Sequence, residues 1–220
     1  MDLQAFIEAN DAVESGDGFH KANNRLLAIG VDGTVTLKAG AMIAYTGDLT
    51  FTGKSSAEGG IAGFVKSAVS NEDSPVMEAE GTGTLYAAEQ SKKIQILSLD
   101  EGESISVNGT DVLAFEDDVD YEINTIGSLS GAAAGGLTNV YLTGPGDVAI
   151  STHGDPLVME PPVTTDPDAT VAWSANLSPS IGTNKLIEIG QESGESFQME
   201  FTGDNGFVVV QPHEEGGQMQ

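Results

Sequence analysis

The sequence predicts an all-β protein built from three small antiparallel β repeats around a shared core. Three observations carry that expectation. Twenty-eight glycines stand among many Val, Ile and Thr, which favours short strands joined by turns over a helical bundle. Two short patterns each recur three times, in alternating order, and a repeat of that kind sets the architecture before any single motif does. The 220 residues with 39% hydrophobic content can build a core, despite a net charge of -26.

The first pattern is apolar, Ala, aromatic: Ile43-Ala44-Tyr45, Leu113-Ala114-Phe115 and Val171-Ala172-Trp173. The second is a glycine pair leading into an apolar strand, with Gly83, Gly146 and Gly206 as its second glycines. From aromatic to first glycine the gaps are 36, 29 and 30 residues. The chain accordingly divides into 1–90, 91–153 and 154–220. Units so small rarely stand alone, whereas three sharing a core are stable together.

Strands are expected where apolar residues alternate or nearly so: Val35-Thr36-Leu37, Ile94-Gln95-Ile96, Ile105-Ser106-Val107, Val140-Tyr141-Leu142 and Phe197 to Phe201. Asp32-Gly33 and Asn108-Gly109 carry the strongest short hairpin signals. Between its two markers each repeat makes an excursion. Ile61, Phe64, Val65, Ala68 and Val69 fall on one face of a short helix over 60–70, a candidate partner contact. Residues 126–137 form a small, weakly polar segment, and 177–194 a long loop. Tyr45, Phe115 and Trp173 are expected to be core or interdomain anchors.

Thirty-four acids against eight bases are scattered through strands, loops and both ends. A binding tail would concentrate them in a block. Scattered acids predict a protein of a molar-salt cytoplasm, where the Debye length is about 3 Å and self-repulsion is screened. Nucleic acid is a poor partner, since phosphates are neutralised by grouped bases and the densest groups are Lys21 with Arg25 and Lys92 with Lys93. No run reaches 18 apolar residues, and the first 30 residues carry acids but no basic n-region. Zero cysteines exclude thiolate metal sites and cysteine nucleophiles.

With those markers placed, the chain resembles a known family, Altered Inheritance of Mitochondria number twenty-four, of mitochondrial biogenesis, which has bacterial and archaeal members. The resemblance rests on Leu37 to Asp48, Ser106 to Gly109 with Leu113-Ala114-Phe115, Thr152-His153-Gly154, Thr165-Asp166-Pro167 with Val171-Ala172-Trp173, and Gly194 to Met199 running into Gly206 to Pro212. It implies a fold like that of the trp RNA-binding attenuation protein, a short double-stranded β-helix with three small antiparallel β-sandwich repeats around a pseudo-threefold axis in each chain, further assembly of chains into rings, and no agreed catalytic residues. The chain is far more acidic than the bacterial relatives, and a mitochondrial role is not carried over.

Chemistry is sparse. The histidines are His20, His153 and His213. His153 and His213 both lie seven residues beyond the second glycine of their repeats, and Gln90 holds the matching position in the first. His153 and His213, with Glu89, Asp155, Glu214 and Glu215 near them, are candidate metal ligands, against the plainer expectation of surface or turn histidines. Ser151 beside His153 is a weak nucleophile-base pair, because neighbours so close along a strand point apart. Asp117-Asp118-Val119-Asp120 lacks the glycine and distal glutamate of a calcium-binding hand and reads as an acidic turn. Gly144-Pro145-Gly146 has no Lys-Ser/Thr after it and is not a phosphate loop. The expected function is a noncatalytic, cytoplasmic scaffold or binding protein without cofactor, self-associating and facing a protein or peripheral membrane complex. The alternatives are an RNA-binding regulator, by analogy of fold, and a small-ligand or metal-binding enzyme with a cupin-like pocket.

Overall fold

A computed structural model describes residues 1–12, 16–53, 76–126, 137–183 and 197–215. The described residues are all-β apart from a seven-residue helix, α1 (Leu3–Ala9), and a 3-10 turn at Pro167–Ala169. The strands are β1 (Gly18–Asn23), β2 (Leu26–Lys38), β3 (Met42–Gly53), β4 (Val76–Ala87), β5 (Lys93–Leu99), β6 (Ser104–Asn108), β7 (Val112–Glu116) and β8 (Asp120–Ile126). They continue as β9 (Leu137–Thr143), β10 (Gly146–Thr152), β11 (Leu157–Met159), β12 (Val163–Thr165), β13 (Thr170–Ser174), β14 (Ser180–Thr183), β15 (Phe197–Phe201) and β16 (Val208–Val210). Every pairing among them is antiparallel. A seven-stranded sheet runs β3-β4-β2-β7-β10-β5, with β1 also on β2; a six-stranded sheet runs β11-β16-β13-β6-β9-β8; a three-stranded one runs β12-β15-β14.

Each alternating segment read from the sequence lies in a strand, and the buried apolar side chains among the described residues fall into three cores. Leu27, Ile29, Leu37, Leu85 and Ile94 anchor the first, Ile105, Val107, Phe115, Leu142 and Ile150 the second, and Trp173, Met199, Phe201 and Val208 the third. Burying one such side chain fully stabilises the fold by roughly 1.5–3 kcal/mol.

The same local pairing occurs three times. Tyr45 lies opposite Leu85, Phe115 opposite Val148 and Trp173 opposite Val208, each partner two residues past the second glycine. The preceding alanines, Ala44, Ala114 and Ala172, face Tyr86, Ala149 and Val209. One residue is then skipped on the marker strand, at Ile43, Leu113 and Val171, so that Met42, Val112 and Thr170 face Ala87, Ile150 and Val210. These are β-bulges, which bend a strand and tighten its twist. Beyond each bulge the N–H of Ala88, Ser151 and Gln211 donates to the carbonyl of Ala41, Asp111 and Ala169, at 2.9, 2.8 and 2.9 Å.

Three expectations need correction. Asp32-Gly33 is not a hairpin: β2 pairs with β4 without interruption from Leu27 to Lys38, and Gly33, at φ +119, bends a single long strand. Asn108-Gly109 does turn the chain, with Asn108 Oδ1 accepting from the Thr110 N–H at 3.3 Å. The strands it joins, however, lie in different sheets. Tyr45 is not core: it is 46% exposed, against 2% for Phe115 and 1% for Trp173, because β3 is an edge strand.

The sequence reading did not anticipate α1, whose N-terminus is capped by Asp2 Oδ1 accepting from the Ala5 N–H at 2.8 Å and whose Leu3, Phe6 and Ile7 are exposed. The candidate helix over 60–70, with Ile61, Phe64 and Val65, lies outside the described residues, as do nearly all of 126–137 and the latter part of 177–194.

Candidate functional site

The turn after β4, the entry to β7 and the segment after β16 meet at one polar junction. Gln90 and Ser91 adopt φ 39 and 60, and the Lys92 N–H closes that turn on the Glu89 carbonyl at 2.7 Å. This geometry carries the Lys92 side chain inward. Asp111 follows the Asn108-Gly109-Thr110 turn, its N–H donating to the Asn108 carbonyl at 2.9 Å. Glu215 is fixed by its own N–H, which donates to the Asp168 carbonyl at 3.1 Å.

Lys92 Nζ lies 2.9 Å from Asp111 Oδ1 and also contacts Glu215 Oε1. Lys92 and Asp111 are only 3% and 1% exposed. A buried ion pair is tolerated when its remaining lone pairs and protons find partners, and here the second carboxylate and Gln211 supply several. Gln211 donates from Nε2 to Glu215 Oε1 at 3.1 Å and accepts the His153 N–H on Oε1 at 2.7 Å. Asp111 Oδ2 is buried without a hydrogen-bond partner.

The protonation states follow from that crowding. Burial pushes the Asp111 carboxyl up to about 8, against the pull of Lys92, and the charge on Glu215 adds to the rise. Burial also opposes ionisation of Glu215, but its hydrogen bond and charge attraction to Lys92 outweigh that and bring it to about 2. Burial alone would lower the Lys92 ammonium, yet the two carboxyls hold it above its ordinary value. One positive group therefore faces one carboxylate held ionised by it and one carboxyl whose ionisation burial opposes.

His153 and His213, far apart in sequence, meet beside this junction with ring centroids 4.2 Å apart and planes inclined by 51°. His153 Nε2 is 3.8 Å from Glu215 Oε1. Burial, then the nearby Lys92 charge and His213, lower the His153 pKa. The fold thus brings together two of the three positions that the glycine spacing related. Gln90 sits in the neighbouring turn. Among the described residues, however, no group of three or more His, Asp or Glu side chains is placed to hold a metal ion. Glu89 is paired with Lys38 at 3.3 Å and Asp155 with Lys93 at 2.6 Å, and Glu214 is exposed.

The candidate nucleophile is spent locally: Ser151 Oγ donates to the Asp111 carbonyl at 3.4 Å. The acidic run Asp117 to Asp120 is a turn, closed by the Val119 N–H on the Glu116 carbonyl at 3.1 Å. Gly146, at φ +139, stands where a Cβ would meet Val119 Cγ2 at 2.7 Å. What the junction does chemically is neutralise buried charge and tie the C-terminal segment to the middle of the chain. No helix among the described residues is long and apolar enough to cross a membrane.

Lys92 and Asp111 were missed as a site. The one signal in the sequence was a lysine pair in a chain with eight bases, which also fits a solvated surface.

No curated protein matches the sequence. The fold is similar to a crystal structure of a Streptococcus pyogenes protein from a structural genomics programme, with a TM-score of 0.68 and 24% identity over 89% of this chain and 92% of that one. At that identity the likeness concerns the fold alone. Residues 19–213 match the family described as Mitochondrial biogenesis AIM24, a match that takes in every β-strand but the first residue of β1, and the chain belongs to that family.

Proposed function

We propose that this chain is a noncatalytic assembly protein: three β-sandwich repeats around a pseudo-threefold axis, arranged as in the trp RNA-binding attenuation protein. In this reading it associates with itself and presents surfaces to a protein or peripheral membrane partner in a salt-rich cytoplasm. The observation that carries the reading is the threefold recurrence of one bulged register, at Ile43, Leu113 and Val171, with the same backbone closure beyond it. Independent strand pairs would not be expected to share register, bulge position and closure. The deepest charged groups add support, since Lys92 pairs with both Asp111 and Glu215 within the chain. The scattered acids and net charge of -26 favour molar salt and disfavour the RNA-binding alternative.

The reading is tested by the mass of the full chain in solution at about molar salt, measured by light scattering on a sizing column. A multiple of 22.7 kDa is expected. A uniform 22.7 kDa species over micromolar concentrations would overturn self-association.

A further inference from the structure

Among the described residues the edge of β3 away from β4 takes no strand, while the matching edges of β7 and β13 are covered. β7 receives β2, with Leu37 opposite Ala114, Thr36 opposite Phe115 and Val35 opposite Glu116. β13 receives β6, with Val107 opposite Ala172, Ser106 opposite Trp173 and Ile105 opposite Ser174. In both joints the incoming residue opposite the alanine lies eight positions before the aromatic that follows it in its own repeat. Among the described residues β3 pairs with β4 alone.

The consequence is visible in burial. Leu113, Ala114, Phe115, Val171, Ala172 and Trp173 are buried, whereas Ile43 is 60% exposed and Ala44 and Tyr45 are exposed as well. A strand edge with exposed apolar side chains is a template for further pairing, and proteins that keep such an edge single guard it with charge, proline or a cover. Residues 39–47 contain no charged residue and no proline, in a chain with 34 acids.

At the far end, β12 occupies the place that β6 holds in the middle of the chain. It pairs with β15 as β6 pairs with β9, and it is the edge of its sheet. Thr165 is eight positions before Trp173, as Val107 is before Phe115.

We propose that β12 of one copy adds antiparallel to β3 of a second copy, with Thr165 opposite Ala44, Thr164 opposite Tyr45 and Val163 opposite Thr46. The inference rests on the three-repeat reading above and deepens its self-association. The three residue pairs match the length of both internal joints, and all six residues are uncharged. The contact is head to tail: among the described residues each copy offers one such edge of each kind, so the assembly closes as a ring or grows as a filament.

The absence of cysteine permits a direct test on the full chain. Tyr45→Cys and Thr164→Cys proteins are prepared separately, mixed at about molar salt and mildly oxidised; directly opposed strand residues are about 4.5–5.5 Å apart, within disulfide range. A two-chain disulfide product is expected in the mixture at several times its level in either protein alone. The double substitution Ile43→Lys/Tyr45→Lys, at side chains exposed in the single chain, is expected to keep the melting temperature of the free chain and to reduce the assembly to 22.7 kDa. If the wild type assembles but the mixture yields no joint product and the lysine variant keeps its size, the edge pairing is overturned while self-association stands. A disulfide formed within one chain carrying both cysteines would show that β12 covers its own β3, which also overturns it. A monomeric wild type overturns both.

Discussion

Lys92 Nζ sits 2.9 Å from Asp111 Oδ1 with both side chains almost wholly out of water, so each is tolerable only because the other is present. Glu215 adds a second contact to the same ammonium and thereby fastens the segment after β16 to the turn after β4. Replacing Lys92 by Met keeps the volume but leaves the Glu215 carboxylate without its counter-charge and both acids without the ammonium as hydrogen-bond donor. The expected cost is roughly 3–5 kcal/mol, the usual penalty for breaking a buried pair from one side, read as a fall in the denaturant midpoint at fixed salt.

Asp111 gives a pH dependence of definite sign. Its folded pKa is raised from 3.8 to about 8, so the stability it contributes is fully present below pH 3.8 and is lost as pH rises through about 8. Glu215, lowered from 4.5 to about 2, contributes stability above pH 4.5 that is lost as pH falls toward 2. His153, lowered and facing Lys92, His213 and Glu215, favours the neutral ring and opposes the Asp111 slope near its own titration. Asp111→Asn cannot ionise. Chemical denaturation at pH 5 and pH 8 is expected to show a decline in the wild type that is reduced in this variant; equal declines would contradict the assignment.

The three aromatic markers should differ sharply in energetic weight. Trp173 is buried against Phe201, with ring centroids 5.6 Å apart, and Trp173→Ala is expected to cost roughly 3–5 kcal/mol. Tyr45 packs edge-on to Phe51 at 5.0 Å but faces solvent. Tyr45→Ala should therefore cost less than about 1 kcal/mol in the free chain. Thermal melts of both variants, at concentrations low enough to dissociate any assembly, separate the two cases.

Gly83 lies where β3 and β4 approach too closely for a side chain. A Cβ there would sit 2.1 Å from the Thr46 carbonyl oxygen, and at Gly81 2.0 Å from that of Asp48. Gly83→Ala must part the strands, and is expected to cost more than about 1 kcal/mol. Gly40→Ala has nothing within 4 Å of the added Cβ and serves as the control, carrying only the strain of its φ of +85. The melting temperatures should rank wild type, Gly40→Ala, then Gly83→Ala.

The strands were legible because apolar residues alternate in sequence, as in Ile105 to Val107 and Phe197 to Phe201, although β6 is buried on both faces. Gly33 was misread because positive φ serves a bent continuous strand as readily as a two-residue turn. The exposure of Tyr45 was not legible: Phe115 and Trp173 carry the same local motif but have a further strand beside them and pack into the second and third cores. The Lys92, Asp111 and Glu215 junction was hidden for a related reason, since its members come from three distant parts of the chain and no spacing rule links them. His153 and His213 were found by repeat arithmetic, but among the described residues their ring contact is not part of a metal-ligand set.

The scaffold reading is tested most directly by affinity capture of the tagged full chain from its native cytoplasm at about molar salt, where its self-repulsion is screened. Protein, RNA and metal are then quantified in the eluate. The account predicts further copies of the chain together with a reproducible protein partner that is lost on competition with untagged chain. An eluate holding the chain with stoichiometric RNA or metal and no protein partner would contradict it.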